Sequence, residues 1–156
     1  MTALALGDKA PDFTLAADGG KTLSLSDYAG KLVVLYLYPK DDTPGCTTEA
    51  KGFSEAAAEF EAAGAVIIGL SKDSVARHDK FKAKYGLKLD LASDPEGVLI
   101  AALGAWVEKS LYGRAYMGID RSTFLIGRDG TLKAIWRKVK VTGHVAEVLK
   151  AVKAAG

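Results

Sequence analysis

The hydrophobic and polar positions alternate between strand-like and helix-like segments along most of the chain. The segments DFTL (12–15) and TLSL (22–25) flank Asp18-Gly19-Gly20, and Asp-Gly and Gly-Gly supply the positive φ of a tight hairpin turn. The run KLVVLYLY (31–38) is apolar on both faces, which predicts a central strand covered on both sides. The run AVIIGL (65–70) predicts a second buried strand.

A helix is predicted between these two strands, from about Cys46 to Ala63, with Gly64 placed to end it. Its apolar stripe consists of Phe53, Ala56, Ala57 and Phe60. A strand, a helix and a second strand in this order form a βαβ unit, so the two strands are expected to be parallel neighbours.

A second helix and a short strand are predicted after residue 70. The helix carries Val75, Phe81 and Tyr85, with Asp73 or Ser74 as its N-cap, and the strand lies near 89–92. In the segment DPEGVLIAALG (94–104), Asp94 suits the N-cap, Pro95 the first helical position and Gly104 the end of a third helix.

The last third of the chain contains a predicted hairpin and a final helix. Residues 105–118 are expected to be irregular, with Trp106, Tyr112 and Tyr116 forming either an apolar wall beside the cysteine thiol or plain core. RSTFLIG (121–127) and TLKAIWR (131–137) pair across Asp129-Gly130, and GHVAEVLKAVKAA (143–155) is an amphipathic helix. We therefore predict one α/β domain over 1–156, thioredoxin-like, with a mixed central sheet and helices on both faces.

Composition narrows the class of protein. The chain has 156 residues, 49% of them hydrophobic, and no apolar run approaches the length of a membrane span. A net charge of +2 gives no reason to expect nucleic acid, and we expect no membrane partner. With one cysteine no internal disulfide forms, so a reducing cytoplasm is the predicted location.

The single cysteine, Cys46, lies in the polar stretch TPGCTTE (43–49) at the start of the first predicted helix. With Thr43 as N-cap, whose hydroxyl accepts from the Cys46 amide, Pro44 is the first helical residue. The free N–H groups of the helix start favour the thiolate, which is the nucleophile. Gly45 leaves little bulk around the sulfur, and Glu49 is placed to brace the helix start.

The sequence around this cysteine bears differently on the alternative roles of the thiol. A reactive thiol is favoured over a small buried hydrophobe because its flanks are polar and it opens a helix. A disulfide oxidoreductase needs a second thiol at Cys-x-x-Cys spacing, where Glu49 stands. A thioredoxin-fold redox sensor or binding module, relaying oxidation by mixed disulfide, stays open because its first chemical step, oxidation of a reactive thiol, is the same as that of an enzyme that uses the thiol.

The stretch YPKDDTPGCTTEA (38–50) resembles the peroxiredoxins, whose motif places a proline, a threonine and the peroxidatic cysteine as Pro39, Thr43 and Cys46 do here. The finer resemblance is to the bacterioferritin comigratory protein group, also called peroxiredoxin Q. It extends through GDKAPDFTL (7–15), VIIGLSKDSVARHDKFKAKYGL (66–87), RSTFLIGRDGTL (121–132) and WRKVKVTGHVAEVL (136–149).

This resemblance implies a thiol peroxidase that acts on hydrogen peroxide and organic hydroperoxides, in antioxidant defence and redox homeostasis. Cys46 would become a sulfenic acid, with no cofactor and no metal. Arg121 would stabilise the thiolate and the peroxide oxygens, Thr43 would hydrogen-bond sulfur and substrate, and Pro39 would shield the site from water.

The chain departs from that group in having no resolving cysteine. Lys51 stands where many members place one, and the segment HDKFKAKYG (78–86), where others place it, has none either. The sulfenic acid must therefore meet an outside thiol: thioredoxin, glutaredoxin with glutathione, a small thiol, or Cys46 of a second copy. We expect a monomer, with a weak or Cys46-linked dimer as the alternative.

The two histidines of the chain and the acidic residues of its loops show no metal-ligand spacing. His78 is expected on the exposed face of its helix and His144 in a solvated or capping position, while Asp41 and Asp42 are expected to solvate the loop before Cys46.

Overall fold

A mixed five-stranded sheet forms the centre of the protein in the computed structural model, which describes residues 4–155. Its strands and those of two small hairpins are β1 (Thr14–Ala16), β2 (Thr22–Ser24), β3 (Leu32–Leu37), β4 (Ala65–Ser71), β5 (Asp90–Ser93), β6 (Trp106–Leu111), β7 (Arg114–Ile119), β8 (Ser122–Ile126) and β9 (Leu132–Trp136). The order in the central sheet is β5, β4, β3, β8, β9. The first three strands are parallel, and β8 and β9 are antiparallel to their neighbours.

Strand β3 lies in the middle of this sheet and is buried along its whole length. Val33, Leu35 and Leu37 contribute to one core, and the alternate residues to a second core on the opposite face. The helices are α1 (Pro44–Glu55), α2 (Ala57–Ala62), α3 (Val75–Tyr85), α4 (Val98–Ala102) and α5 (His144–Ala155). Buried residues of α4 join the first core, and those of the other four helices join the second, so the predicted α/β arrangement is confirmed.

The prediction of one continuous helix from Cys46 to Ala63 is wrong, because the helix begins at Pro44 and breaks at Ala56. The backbone of Ala56, with φ −92° and ψ 2°, separates α1 from α2. Phe53 and Phe60, on either side of the break, are both fully buried with ring centroids 5.8 Å apart. The small residues around Ala56 suit a helix as well as a break, so local pattern gave no sign of this change in direction.

Helix α4 also begins later than predicted, at Val98, and Pro95 lies in the turn before it. Asp94 nevertheless caps this segment, because its carboxylate accepts hydrogen bonds from the Val98 and Ile100 amides. Gly97, with φ +71°, makes the turn into the helix.

Residues 105–118 are not irregular, since β6 and β7 form an antiparallel hairpin. Its two-residue turn is Tyr112-Gly113, with φ of 52° and 76°, as a type I′ turn requires. A tyrosine in that position gives no turn signal in the sequence. Trp106, Tyr112 and Tyr116 are 36%, 97% and 47% exposed, so of the two alternatives for them, the one that places them in the core is wrong.

Among residues 4–155, no helix is long and apolar enough to cross a membrane. The prediction of one domain over 1–156 includes residues 1–3 and 156, which lie outside the described residues, and it stays a prediction.

Candidate active site

Cys46 lies in the first turn of α1 and is 2% exposed. Thr43 is the N-cap residue, with extended φ and ψ of −101° and 155°, and Pro44 is the first helical residue, as the sequence predicted. The predicted capping bond is wrong, because the Thr43 hydroxyl donates to the Lys40 carbonyl oxygen at 2.8 Å and makes no side-chain cap. The half-buried Thr43 therefore stabilises the turn before the helix. The Thr43 side chain does not accept a hydrogen bond from the Cys46 amide.

Arg121 approaches the sulfur from a different part of the chain. Its Nη2 donates to Cys46 Sγ at 3.4 Å, although the two residues are 75 positions apart. Strand register explains this proximity: Ser122 at the start of β8 pairs with Leu37 at the end of β3, from which the loop to Cys46 departs. The antiparallel pairing thus places Arg121 beside the start of α1.

Glu49 completes the cluster from the next turn of α1. Arg121 Nη1 donates to Glu49 Oε1 at 2.6 Å, so one guanidinium bridges a carboxyl group and a sulfur. Glu49 is 0% exposed, and its second oxygen has no hydrogen-bond partner among the described residues. Burial raises the pKa of Glu49 to about 7 against the opposing charge of Arg121. Burial works to lower the pKa of Arg121, but Glu49 and then Cys46 outweigh it and raise that pKa.

Glu49→Gln is expected to change how stability depends on pH. The pKa of Glu49 is raised from 4.5 to about 7 on folding, so its contribution is complete below the unfolded value and is lost as pH rises through about 7. The free energy of unfolding of the wild type should fall relative to that of the variant by roughly 3 kcal/mol across this window. Urea denaturation at a series of pH values measures this difference.

Glu59→Gln is the matched control, because Glu59 is an exposed carboxylate 3.7 Å from Lys153 on the neighbouring part of the fold. Its stability curve should run parallel to that of the wild type. A Glu49→Gln curve that also ran parallel would contradict the raised pKa of the buried carboxyl group.

Gly45 allows the guanidinium to approach closely. A Cβ atom at this position would lie 3.2 Å from Arg121 Nη2, which is a tight contact. Gly45 is exposed, as are Pro39 and Lys51, and Pro39 lies in the loop that follows β3. The structure therefore brings Cys46, Glu49, Gly45 and Arg121 together, while Pro39 is exposed and the Thr43 hydroxyl donates to Lys40 and not, as expected, to the sulfur.

Two buried residues near the site were missed by the sequence analysis. His78 is 0% exposed, which overturns its predicted place on the exposed helix face, and Asp41 is 4% exposed. Their side chains are hydrogen-bonded at 2.7 Å across 37 positions. The spacing of His78 and Phe81 along α3 is the available signal, because residues three apart share a helix face. Asp42 is exposed, as expected of a loop acid.

His144, which was expected in a solvated or capping position, is also buried, so the solvated alternative is wrong, and its Nε2 lies 2.7 Å from the Thr123 hydroxyl. Burial lowers the pKa of His144. Among residues 4–155, no group of three or more His, Cys, Asp or Glu side chains is arranged to hold a metal ion.

Comparison with known proteins places this arrangement in a family. The AhpC/TSA family model matches residues 6–135. Peroxiredoxin Bcp of Bacillus subtilis is 53% identical over 148 residues, 95% of this chain and 94% of the relative. A putative peroxiredoxin bcp of Coxiella burnetii is 52% identical over 144 residues, 92% of this chain and 95% of the relative.

A solved structure agrees over the same length. The bacterioferritin comigratory protein of Xanthomonas campestris, studied for alkyl peroxide reduction in trapped intermediate and ligand complexes, matches with a TM-score of 0.90. It is 45% identical, and the match covers 99% of this chain and 98% of that one. The thioredoxin-like fold class is thereby confirmed. The chain belongs to the AhpC/TSA family and is a peroxiredoxin similar to the Bcp, or peroxiredoxin Q, group over nearly its whole length.

Proposed function

We propose that this peroxiredoxin reduces hydrogen peroxide and organic hydroperoxides through the sulfur of Cys46. The thiolate attacks the terminal peroxide oxygen, the O–O bond breaks, and the leaving oxygen takes a proton to become water or an alcohol. Sulfur loses two electrons and becomes a sulfenic acid, while the peroxide gains them. The observation that carries the proposal is the Arg121 guanidinium at 3.4 Å from Sγ, at the start of a helix.

Arg121 supplies positive charge and directed N–H groups at the reacting atoms. Its contact with Glu49 at 2.6 Å fixes the plane of the guanidinium, so that the second nitrogen points at sulfur. Negative charge moves from sulfur to the leaving oxygen during the displacement, and donors already in place stabilise it without reorganisation. This role makes Arg121 a catalytic residue and Glu49 its positioning residue.

Thr43 is suited to bind the peroxide itself. Its hydroxyl proton is committed to the Lys40 carbonyl oxygen, so the Oγ1 lone pairs are left to accept from the O–H of a hydroperoxide. The exposed residues Pro44 and Gly45 lie between Thr43 and the sulfur in sequence, and glycine adds little bulk there. A small oxidant therefore reaches a sulfur that is almost fully covered. We retain the shielding role of Pro39 as part of the proposal.

An external thiol completes the cycle, because the chain has one cysteine and forms no internal disulfide. The incoming thiolate attacks the sulfenic sulfur and displaces hydroxide, which takes a proton to become water, and a second thiol reduces the mixed disulfide. Thioredoxin, glutaredoxin with glutathione, a small thiol and Cys46 of a second copy are the candidate reductants.

Peroxide consumption with and without a reductant tests this function. Without a thiol, the wild-type protein should consume one equivalent of hydrogen peroxide and gain one oxygen atom on the Cys46 peptide by mass spectrometry. With dithiothreitol, or with thioredoxin and its reductase, consumption should continue over many cycles. Consumption that stopped at one equivalent under every reductant would instead identify a redox sensor.

A further inference from the structure

The loop 38–43, which joins β3 to α1, is held by the buried side chain of Asp41. Its Oδ1 accepts the Tyr38 hydroxyl at 2.5 Å, and its Oδ2 lies 2.7 Å from His78 Nδ1. The Asp41 amide donates to the Asp73 carboxylate at 2.9 Å. Three anchors thus fix one residue of the loop that leads into the Cys46 helix.

His78 connects this loop to β5, the edge strand of the central sheet. The residue is fully buried in α3, and its Nε2 lies 2.9 Å from the carbonyl oxygen of Ala92 in β5. A carbonyl oxygen only accepts, so Nε2 carries a proton, and Nδ1 faces a carboxylate that already accepts from Tyr38. Both hydrogen bonds are donated by the ring together when each of its nitrogens carries a proton.

The next loop residue shows why the loop needs such an anchor. Asp42 has φ +58°, a left-handed backbone conformation that persists in a non-glycine residue only when its surroundings hold it. Its carboxylate accepts from Lys84 Nζ at 2.8 Å and from the Tyr85 hydroxyl at 2.7 Å, both at the end of α3. Two successive aspartates therefore tie the loop to α3, and the buried Asp41 contact is shielded from solvent.

We propose that His78 is a positioning residue for the peroxidase reaction: by joining Asp41 to the Ala92 carbonyl, it holds loop 38–43 and the start of α1 so that Cys46 stays within reach of Arg121. This inference rests on the proposed function of Cys46. His78 touches neither sulfur nor Arg121, and it acts through the chain between Asp41 and Cys46. A small displacement of the helix start is sufficient, because the guanidinium contact with sulfur is 3.4 Å long.

The charge of His78 gives the arrangement a pH dependence. Burial disfavours the imidazolium, but the hydrogen bond and charge of Asp41, the Ala92 carbonyl and the charge of Asp73 outweigh it and raise the pKa of His78. The stabilising contribution is therefore present below the ordinary pKa of 6.5 and is lost as pH rises above it, through the raised value. A neutral ring has one N–H and must give up either Asp41 or Ala92.

Two amide variants separate the two hydrogen bonds. In His78→Asn the side-chain nitrogen takes the position of Nδ1 and donates to Asp41, whereas in His78→Gln it takes the position of Nε2 and donates to Ala92. Both remove the ring and its charge, so both lose stability. The rate constant for Cys46 oxidation by hydrogen peroxide is measured for each folded variant, with Cys46→Ser as the blank. We expect His78→Gln to be slower than the wild type by about 10- to 100-fold, and His78→Asn to retain most of the rate.

A pH series adds a readout that a purely structural role leaves unchanged. Ionisation of Cys46 affects wild type and His78→Asn alike, so the ratio of their rate constants reports on His78. The rate constant of the wild type divided by that of His78→Asn should fall as pH rises above neutrality. Equal rates for His78→Asn and His78→Gln, or a flat ratio, would overturn the inference while leaving the proposed function intact. A Cys46→Ser protein as fast as the wild type would overturn both.

Nuclear magnetic resonance of the wild-type protein tests the charged ring without a variant. The chain has two histidines, His78 and His144, so their ring nitrogens are readily distinguished. At pH 6.5, most His78 rings should carry protons on both nitrogens, because the pKa of His78 is raised, and most His144 rings on one, because burial lowers the pKa of His144. A His78 ring with a single proton under these conditions would overturn the inference, including in the event that His78→Gln fails to fold.

Discussion

Cys46→Ser is expected to abolish peroxide reduction, lowering the rate constant by about 10,000-fold or more. The serine hydroxyl stays protonated near neutral pH and is a far weaker nucleophile than a thiolate, and no other thiol exists in the chain. The substitution is nearly isosteric and Cys46 is almost fully covered, so we expect the fold to survive. Stopped-flow measurement of peroxide consumption, with and without dithiothreitol, gives the rate.

Thr48→Ser is a suitable control for this substitution. Thr48 lies two residues further along α1, is exposed, and donates its hydroxyl to the Pro44 carbonyl oxygen at 3.0 Å. Serine keeps that hydrogen bond, so the control should react as the wild type does. Persistent turnover by Cys46→Ser, or an oxygen atom added to a peptide that lacks residue 46, would show that the chemistry takes place elsewhere.

Arg121→Ala should give the second largest effect, a loss of about 100- to 1,000-fold in the rate constant for Cys46 oxidation. The variant removes the N–H group that lies 3.4 Å from sulfur and leaves the fully buried Glu49 without its cation. Stability should fall as well, because a buried carboxyl group then loses its only hydrogen-bond donor among the described residues. Arg121→Lys should recover part of the rate, since a single ammonium does not serve both partners.

Two further variants separate catalysis from stability at this position. Adding Glu49→Gln to Arg121→Ala removes the buried carboxyl group that has lost its partner, so stability should recover in part while the oxidation rate stays low. Arg128→Ala is the matched surface control, because Arg128 is exposed and donates to the Gly30 carbonyl oxygen. Similar rates for Arg121→Ala and Arg128→Ala would remove Arg121 from the proposed mechanism.

Local patterns were sufficient for the parts of the fold that depend on neighbours in sequence. The apolar run of β3, the Asp-Gly turn between β8 and β9, and Thr43-Pro44 at the start of α1 were all predicted from a few consecutive residues. The position of Cys46 at the start of a helix after a central strand follows from the first and the last of these features. The reactivity of Cys46 can therefore be predicted from the sequence alone.

Contacts between segments that are far apart in the sequence could not be predicted from local patterns. From spacing alone, Arg121 has no relation to Cys46, and its assignment came from resemblance to a family; the observed contact depends on the pairing of β8 with β3. The hydrogen bond between Asp41 and His78 likewise depends on where α3 packs. Both histidines were misplaced because a polar side chain is by default expected in solvent, whereas here each has a buried partner.

The pairing of β8 with β3 also determines where the chain tolerates changes in length. Side chains of a strand alternate between faces, so sliding β8 by a single position would swap its inward and outward residues and carry the guanidinium away from the sulfur. An added residue inside either strand would therefore abolish activity, although every residue of the site would still be present in the sequence. Extra residues in the reverse turn at 127–131 would leave the register of β8 and β3 unchanged. Natural variants of different length should therefore have their insertions there.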